Sequence, residues 1–101
     1  MTAEGYRFEF AEQIPLEEAE MTLQLALIAA EGLFGSARVR LDAGYRVDEA
    51  RRVIAVDAGT EVGAAVVRVF VGFAMREFGE SSIQIRRARR NPDPGSEGRV
   101  A

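Results

Sequence analysis

A chain of 101 residues has room for one small domain and not for two, and its 48% hydrophobic and 29% charged content is that of a globular protein. The net charge of -3 supplies no global field that would draw nucleic acid or an anionic membrane. Cysteine, histidine and lysine are all absent, which removes disulfides, thiol and imidazole chemistry, Schiff bases and a P-loop lysine.

The first residues carry no basic flank leading into an apolar run, so no secretory signal is expected there. Both of the most apolar stretches are broken by charge before reaching the roughly 18–20 residues that cross a bilayer. A soluble, cytoplasmic protein with no membrane partner is the expectation.

Tyr6, Phe8 and Phe10 alternate with Arg7, Glu9 and Ala11, the period of a half-buried strand with three aromatics on its inner side. Pro15 then opens a helix, since its fixed φ suits the first helical position. Glu17, Glu18 and Glu20 complement the positive end of that helix, and Gly35 supplies its C-terminal cap. Leu16, Ala19, Leu23, Ala26, Leu27, Ala30 and Leu33 trace its core stripe, which Met21, Leu25, Ile28 and Ala29 widen beyond one face.

From Ala37 to Val47 the period changes to two, which predicts a long strand. Asp48-Glu49 interrupts it, and Arg51 to Asp57 supplies a return strand. Pairing Val47 with Ala50 places Ala43 opposite Ile54, Leu41 opposite Val56 and Arg40 opposite Asp57, a register that joins apolar to apolar and charge to opposite charge.

Thr60 is the expected N-cap of a second helix that runs to Gly79. Val62 to Phe78 is apolar nearly all round, with a polar strip at Glu61, Arg68, Gly72 and Arg76. A last strand begins at Ser82-Ile83, and the turn-rich segment from Asn91 reads as a disordered tail. The domain is thus expected over 1–90 and the tail over 91–101. The order β-α-β-β-α-β predicts an α+β, ferredoxin-like two-layer sandwich, an antiparallel four-stranded sheet with two helices on one face.

The uncovered sheet face is expected to hold Arg7, Glu9, Arg38, Arg40, Asp42, Arg46, Arg51, Val53, Asp57, Gln84 and Arg86, a solvated plane of interleaved charge laced with weak ion pairs. It lacks the aromatics on which an RNA-recognition sheet stacks bases. Arg86, Arg87, Arg89 and Arg90 form the densest basic cluster and are the candidate anion contacts for nucleic acid or phosphate. No carboxylate spacing of a metal loop occurs, and no cofactor is implied. Carboxylates or tyrosines converging in space at a subunit interface would permit a small-ligand sensor or an acid–base enzyme.

Surplus apolar surface carries the main functional expectation. One sheet cannot cover two helices this apolar, and exposed apolar area marks an interaction surface. Met21, Leu25, Ile28, Val67, Val71 and Phe78 are the candidate interface of a non-enzymatic module that forms homo-oligomers or docks a protein partner.

Overall fold

Alternation in the first strand sets the frame of the computed structural model, which describes residues 3–90. Strand β1, Ala3–Phe10, turns Phe8 and Phe10 into the core and leaves Arg7 and Glu9 in solvent. It lies in the middle of a four-stranded sheet with β2 (Tyr45–Asp48), β3 (Val53–Asp57) and β4 (Ile83–Arg90) in the order β2-β3-β1-β4. Every neighbouring pair is antiparallel. Three helices accompany the sheet, α1 (Leu16–Phe34), α2 (Ser36–Asp42) and α3 (Glu61–Phe78), giving an α+β fold. The proposed tail, 91–101, lies outside the described residues.

The core is shared by the inner sheet face and two helix stripes. Phe8 packs edge-on against Phe70 at 4.7 Å between ring centroids, and Phe10 meets Phe78 at 6.2 Å. Ala19, Leu23, Ala26 and Ala30 of α1 and Val62, Val66, Val67, Phe70 and Ala74 of α3 close around them. Small residues on α1 let the two helices approach closely, while the bulk comes from α3 and the sheet.

Helix punctuation follows local chemistry. Pro15 is the N-cap residue of α1, one position earlier than expected. The Thr60 hydroxyl accepts the Gly63 N–H at 2.9 Å and donates to the Asp42 carbonyl at 2.9 Å, so a single side chain caps α3 and ties it to the end of α2. Gly35 and Gly79 end α1 and α3 at φ 85° and 88°, a region costly to residues with a Cβ.

Two expectations about the middle of the chain need correction. Residues 36–42 form α2 rather than the first half of a long strand, so the element order is β-α-α-β-β-α-β. The alternation of Ala37, Val39 and Leu41 misleads because a two-turn helix needs only one inward anchor. Val39 is that anchor and is buried, whereas Leu41 faces solvent at 82% exposure. The turn is held by the Arg38–Asp42 ion pair at 3.8 Å and by the Arg38 guanidinium 5.1 Å from the Phe34 ring centroid.

The hairpin register also differs, by four residues. Val47 pairs with Ile54 and Tyr45 with Val56, leaving Glu49–Arg52 as the turn. The even shift keeps the paired side chains of Tyr45–Asp48 and Val53–Val56 on their expected faces while removing Ala43, Leu41 and Arg40 from the ladder. Arg52 fixes this turn by adopting φ 58°, the one positive φ of a residue other than glycine among the described residues. Its guanidinium donates to the carbonyls of Phe10 at 3.2 Å and Ala11 at 2.8 Å and also to that of Ile14, binding the turn to the β1–α1 connection.

Candidate functional sites

Three surfaces carry the residues singled out by the sequence. The first is the outer side of the helix layer. Met21, Leu25 and Ile28 recur at spacings of four and three, which places them on one stripe of α1. That stripe lies opposite the buried positions Ala19, Leu23, Ala26 and Ala30, and the three side chains are 67%, 57% and 61% exposed.

On α3 the outcome is different. Val67 is 7% exposed and belongs to the core, while Val71 and Phe78 are half-buried and pack against it. The valine-rich face of α3 is therefore consumed within the chain by the sheet and the neighbouring helix, and Val67 has no surface left to offer a partner. The outward strip of α3 is the expected one, with Glu61, Arg68, Gly72 and Arg76 all exposed.

The second surface is the open face of the sheet. Arg7, Glu9, Arg46, Asp57, Gln84 and Arg86 are exposed there, whereas Arg38, Arg40 and Asp42 ride on α2 and Arg51 sits in the turn. Cross-strand register sorts the charges. Arg46 pairs with Ala55, Ala55 with Arg7 and Arg7 with Arg86, which makes one basic row across the sheet. Asp48, Val53, Glu9 and Gln84 form the adjoining row. Val53 is buried in that row, apart from the main core cluster.

Sequence reasoning expected ion pairs laced through this plane. Among the described residues, none of Arg7, Arg46 and Arg86 is ion-paired, and Arg86 donates to the Gln84 side-chain oxygen at 3.5 Å. Like charges directly opposite each other oppose pairing, so the Arg7–Arg86 neighbours weaken rather than reinforce their strands. Parity alone would have found this row once the register was known. A broad concavity of about 960 Å³ opens beside it, lined by Arg7, Arg46, Asp48, Val53, Ala55 and Asp57 among others.

The third surface is strand β4, which forms a sheet edge and carries the arginine cluster. Pleating divides the cluster, with Arg86 level with Arg7 on the open face and Arg87 level with Tyr6 on the other. Arg87 pairs with Glu4 at 3.3 Å. Arg89 and Arg90 lie in β4 opposite Glu4 and Ala3. Charged side chains on an edge also deter a further strand from adding to the sheet.

A small polar cluster joins α1 to the opposite edge. The Tyr45 hydroxyl donates to Glu20 at 3.0 Å and accepts from the Gln24 amide at 2.6 Å. Burial, reinforced by the Glu20 carboxylate, pushes the Tyr45 hydroxyl pKa above its usual value of 10.0. This cluster fastens β2 to α1, and the sequence does not show it because it depends on which turn of α1 packs beside the end of β2. Among the described residues, no three carboxylates gather as a metal site would need, and no helix is long and apolar enough to cross a membrane.

Comparison with known families and with curated proteins finds no match for this chain.

Proposed function

We propose that this protein is a small non-enzymatic assembly module that self-associates through the outer surface of its helix layer. One observation carries the reading: Met21, Leu25 and Ile28 form a continuous apolar stripe on the side of α1 farthest from the core. Single exposed apolar residues are ordinary, but three at helical spacing on a helix with no basic residue make a contact surface.

Covering the exposed remainder of these three side chains is worth about 3–5 kcal/mol per copy, and about twice that in a two-fold dimer where both copies contribute. Association costs about 4–15 kcal/mol in lost freedom. At the favourable ends of both ranges the surplus is about 6 kcal/mol, a dissociation constant of tens of micromolar, so the balance supports a weak, concentration-dependent dimer rather than a permanent one.

The strand order β2-β3-β1-β4 with the helices against one face supports a ferredoxin-like sandwich into which α2 is inserted before β2.

The test replaces the stripe by polar residues of similar size, Met21→Gln, Leu25→Gln and Ile28→Gln together. Light scattering should show at least a tenfold weaker self-association, and thermal melting should move little, because exposed positions away from special features contribute within about 0.5 kcal/mol each. A wild-type chain that stays monomeric, or a variant that associates as before, removes the reading.

A second reading rests on the basic row of Arg46, Arg7 and Arg86. Three guanidinium groups in line, none ion-paired among the described residues, suit phosphate oxygens, which arginine grips in two-pronged fashion. Binding of single-stranded RNA or DNA that falls steeply with added salt and is lost in Arg7→Gln/Arg86→Gln would establish it. Negligible binding at low salt would eliminate it.

A further inference from the structure

The assembly reading leaves open which helix of the second copy covers the α1 stripe. Two arrangements place one two-helix layer on another by a two-fold rotation. The strand pairing fixes the helix directions: β2 is parallel to β1 and β4 is parallel to β3, so α1 and α3 run in opposite senses. An axis along the helices sets α1 of one copy on α3 of the other, twice over and antiparallel. An axis across them sets α1 on α1 and α3 on α3.

Charge separates the two. Helix α1 carries Glu17, Glu18, Glu20 and Glu31 and no basic residue at all. The outward strip of α3 begins with Glu61, which pairs with Arg38 of its own chain at 3.4 Å, and continues with Arg68 and Arg76, about 12 Å apart along the axis at 1.5 Å per residue. Gly72 lies midway between them, and a Cβ there would meet nothing within 4 Å. Among the described residues, none of Glu17, Glu18, Glu31, Arg68 and Arg76 is ion-paired within its own chain. Stacking like on like would press acid against acid and arginine against arginine, which costs affinity and slows encounter.

We infer that a second copy of this chain covers the stripe with its α3, the α1 apolar residues seating over the Gly72 notch between Arg68 and Arg76. This rests on the assembly reading above and specifies it. Met21 to Ile28 spans about 10 Å along α1, which matches the interval between the two arginines. The flanking glutamates then lie toward the partner's arginines at both ends of the contact. The interface is isologous, so each contact occurs twice.

The experiment is a charge-reversal cycle on the full chain, read by sedimentation at low and high salt. Glu17→Arg/Glu18→Arg/Glu31→Arg reverses α1, and Arg68→Glu/Arg76→Glu reverses α3. Each set alone should weaken self-association at least tenfold at low salt. The combination of both sets in one chain should restore it to within about threefold of wild type, and this combined variant should not mix with wild-type chains. Circular dichroism confirms folding, and the neutral Gln versions of both sets serve where a reversal unfolds the chain.

Reversals that leave association unchanged overturn the α1-on-α3 arrangement while leaving the assembly reading intact. Single sets that weaken it with no restoration in the combined chain also overturn the arrangement. A wild-type chain that never associates removes the assembly reading itself.

Discussion

Replacing Arg52 tests whether one side chain sets the hairpin register. Arg52 holds φ 58° and donates to the carbonyls of Phe10, Ala11 and Ile14, across a gap of about forty residues in sequence. A hydrogen bond from a charged donor contributes about 1.5–3 kcal/mol when well shielded. Arg52 is half-buried, so each bond is worth less, and ordering the long side chain costs up to about 2 kcal/mol. Arg52→Ala should therefore destabilise by about 2–3 kcal/mol, a large part of the 5–15 kcal/mol typical of a domain. At about 4–8 °C per kcal/mol the melting temperature should fall by about 8 °C or more.

Arg52→Gly loses the same hydrogen bonds but relieves the left-handed backbone, so it should be more stable than the alanine variant by about 1 kcal/mol. Urea denaturation of the three proteins measures both differences. If the alanine variant matches wild type, the guanidinium does not hold the turn. If glycine is no better than alanine, the backbone at this position carries no strain.

Three further outcomes follow from the packing. Gly63→Ala would place a Cβ 2.5 Å from the Asp57 carbonyl oxygen, so it should destabilise by about 1–3 kcal/mol as α3 moves off its cap, measured by thermal melting. Phe70→Ala removes a fully buried ring stacked edge-on with Phe8 and should cost about 3–5 kcal/mol, enough to unfold much of the population at 37 °C by circular dichroism. The third concerns alkaline pH. Lysine, cysteine and histidine are absent, so tyrosine is the side-chain type whose ordinary range lies between pH 8 and 11. The Tyr45 pKa is raised in the folded state, so its contribution is complete below pH 10 and is lost as pH climbs through the folded value. Denaturation midpoints should decline above pH 10 in wild type and decline less in Tyr45→Phe, and equal slopes in the two proteins would refute the assignment.

Strong local chemistry made much of this fold legible. The aromatic alternation of β1, the Thr60 cap and the Phe-Gly exits of the long helices each have one low-energy solution, and the chain takes it. The segment from Ser36 to Asp42 has two. Its pattern suits a strand or a short helix, and the choice is made by tertiary partners, Val39 in the core and the Thr60 hydroxyl on the Asp42 carbonyl. The hairpin register was hidden for a similar reason, since it depends on Arg52 reaching carbonyls far away in sequence.

The candidate interface was half legible. Period and composition identified apolar surplus on both helices, but only packing shows where a surplus is absorbed. Val67 lies inside the core and Val71 and Phe78 lean on it, whereas Met21, Leu25 and Ile28 remain outside. A helix that is apolar all round gains two neighbours, here the sheet and α1, before it needs a third. The basic row on the open face was missed as a row because it exists only in the cross-strand register.

Sedimentation equilibrium of the unmodified chain, from about 1 to about 200 μM, is the most direct measurement of whether the α1 stripe is a contact surface. Weight-average mass should rise toward twice the chain mass across that interval, with a midpoint in the micromolar range. A mass that stays at one chain throughout would mean that the stripe is simply solvated and that assembly is not what this surface does.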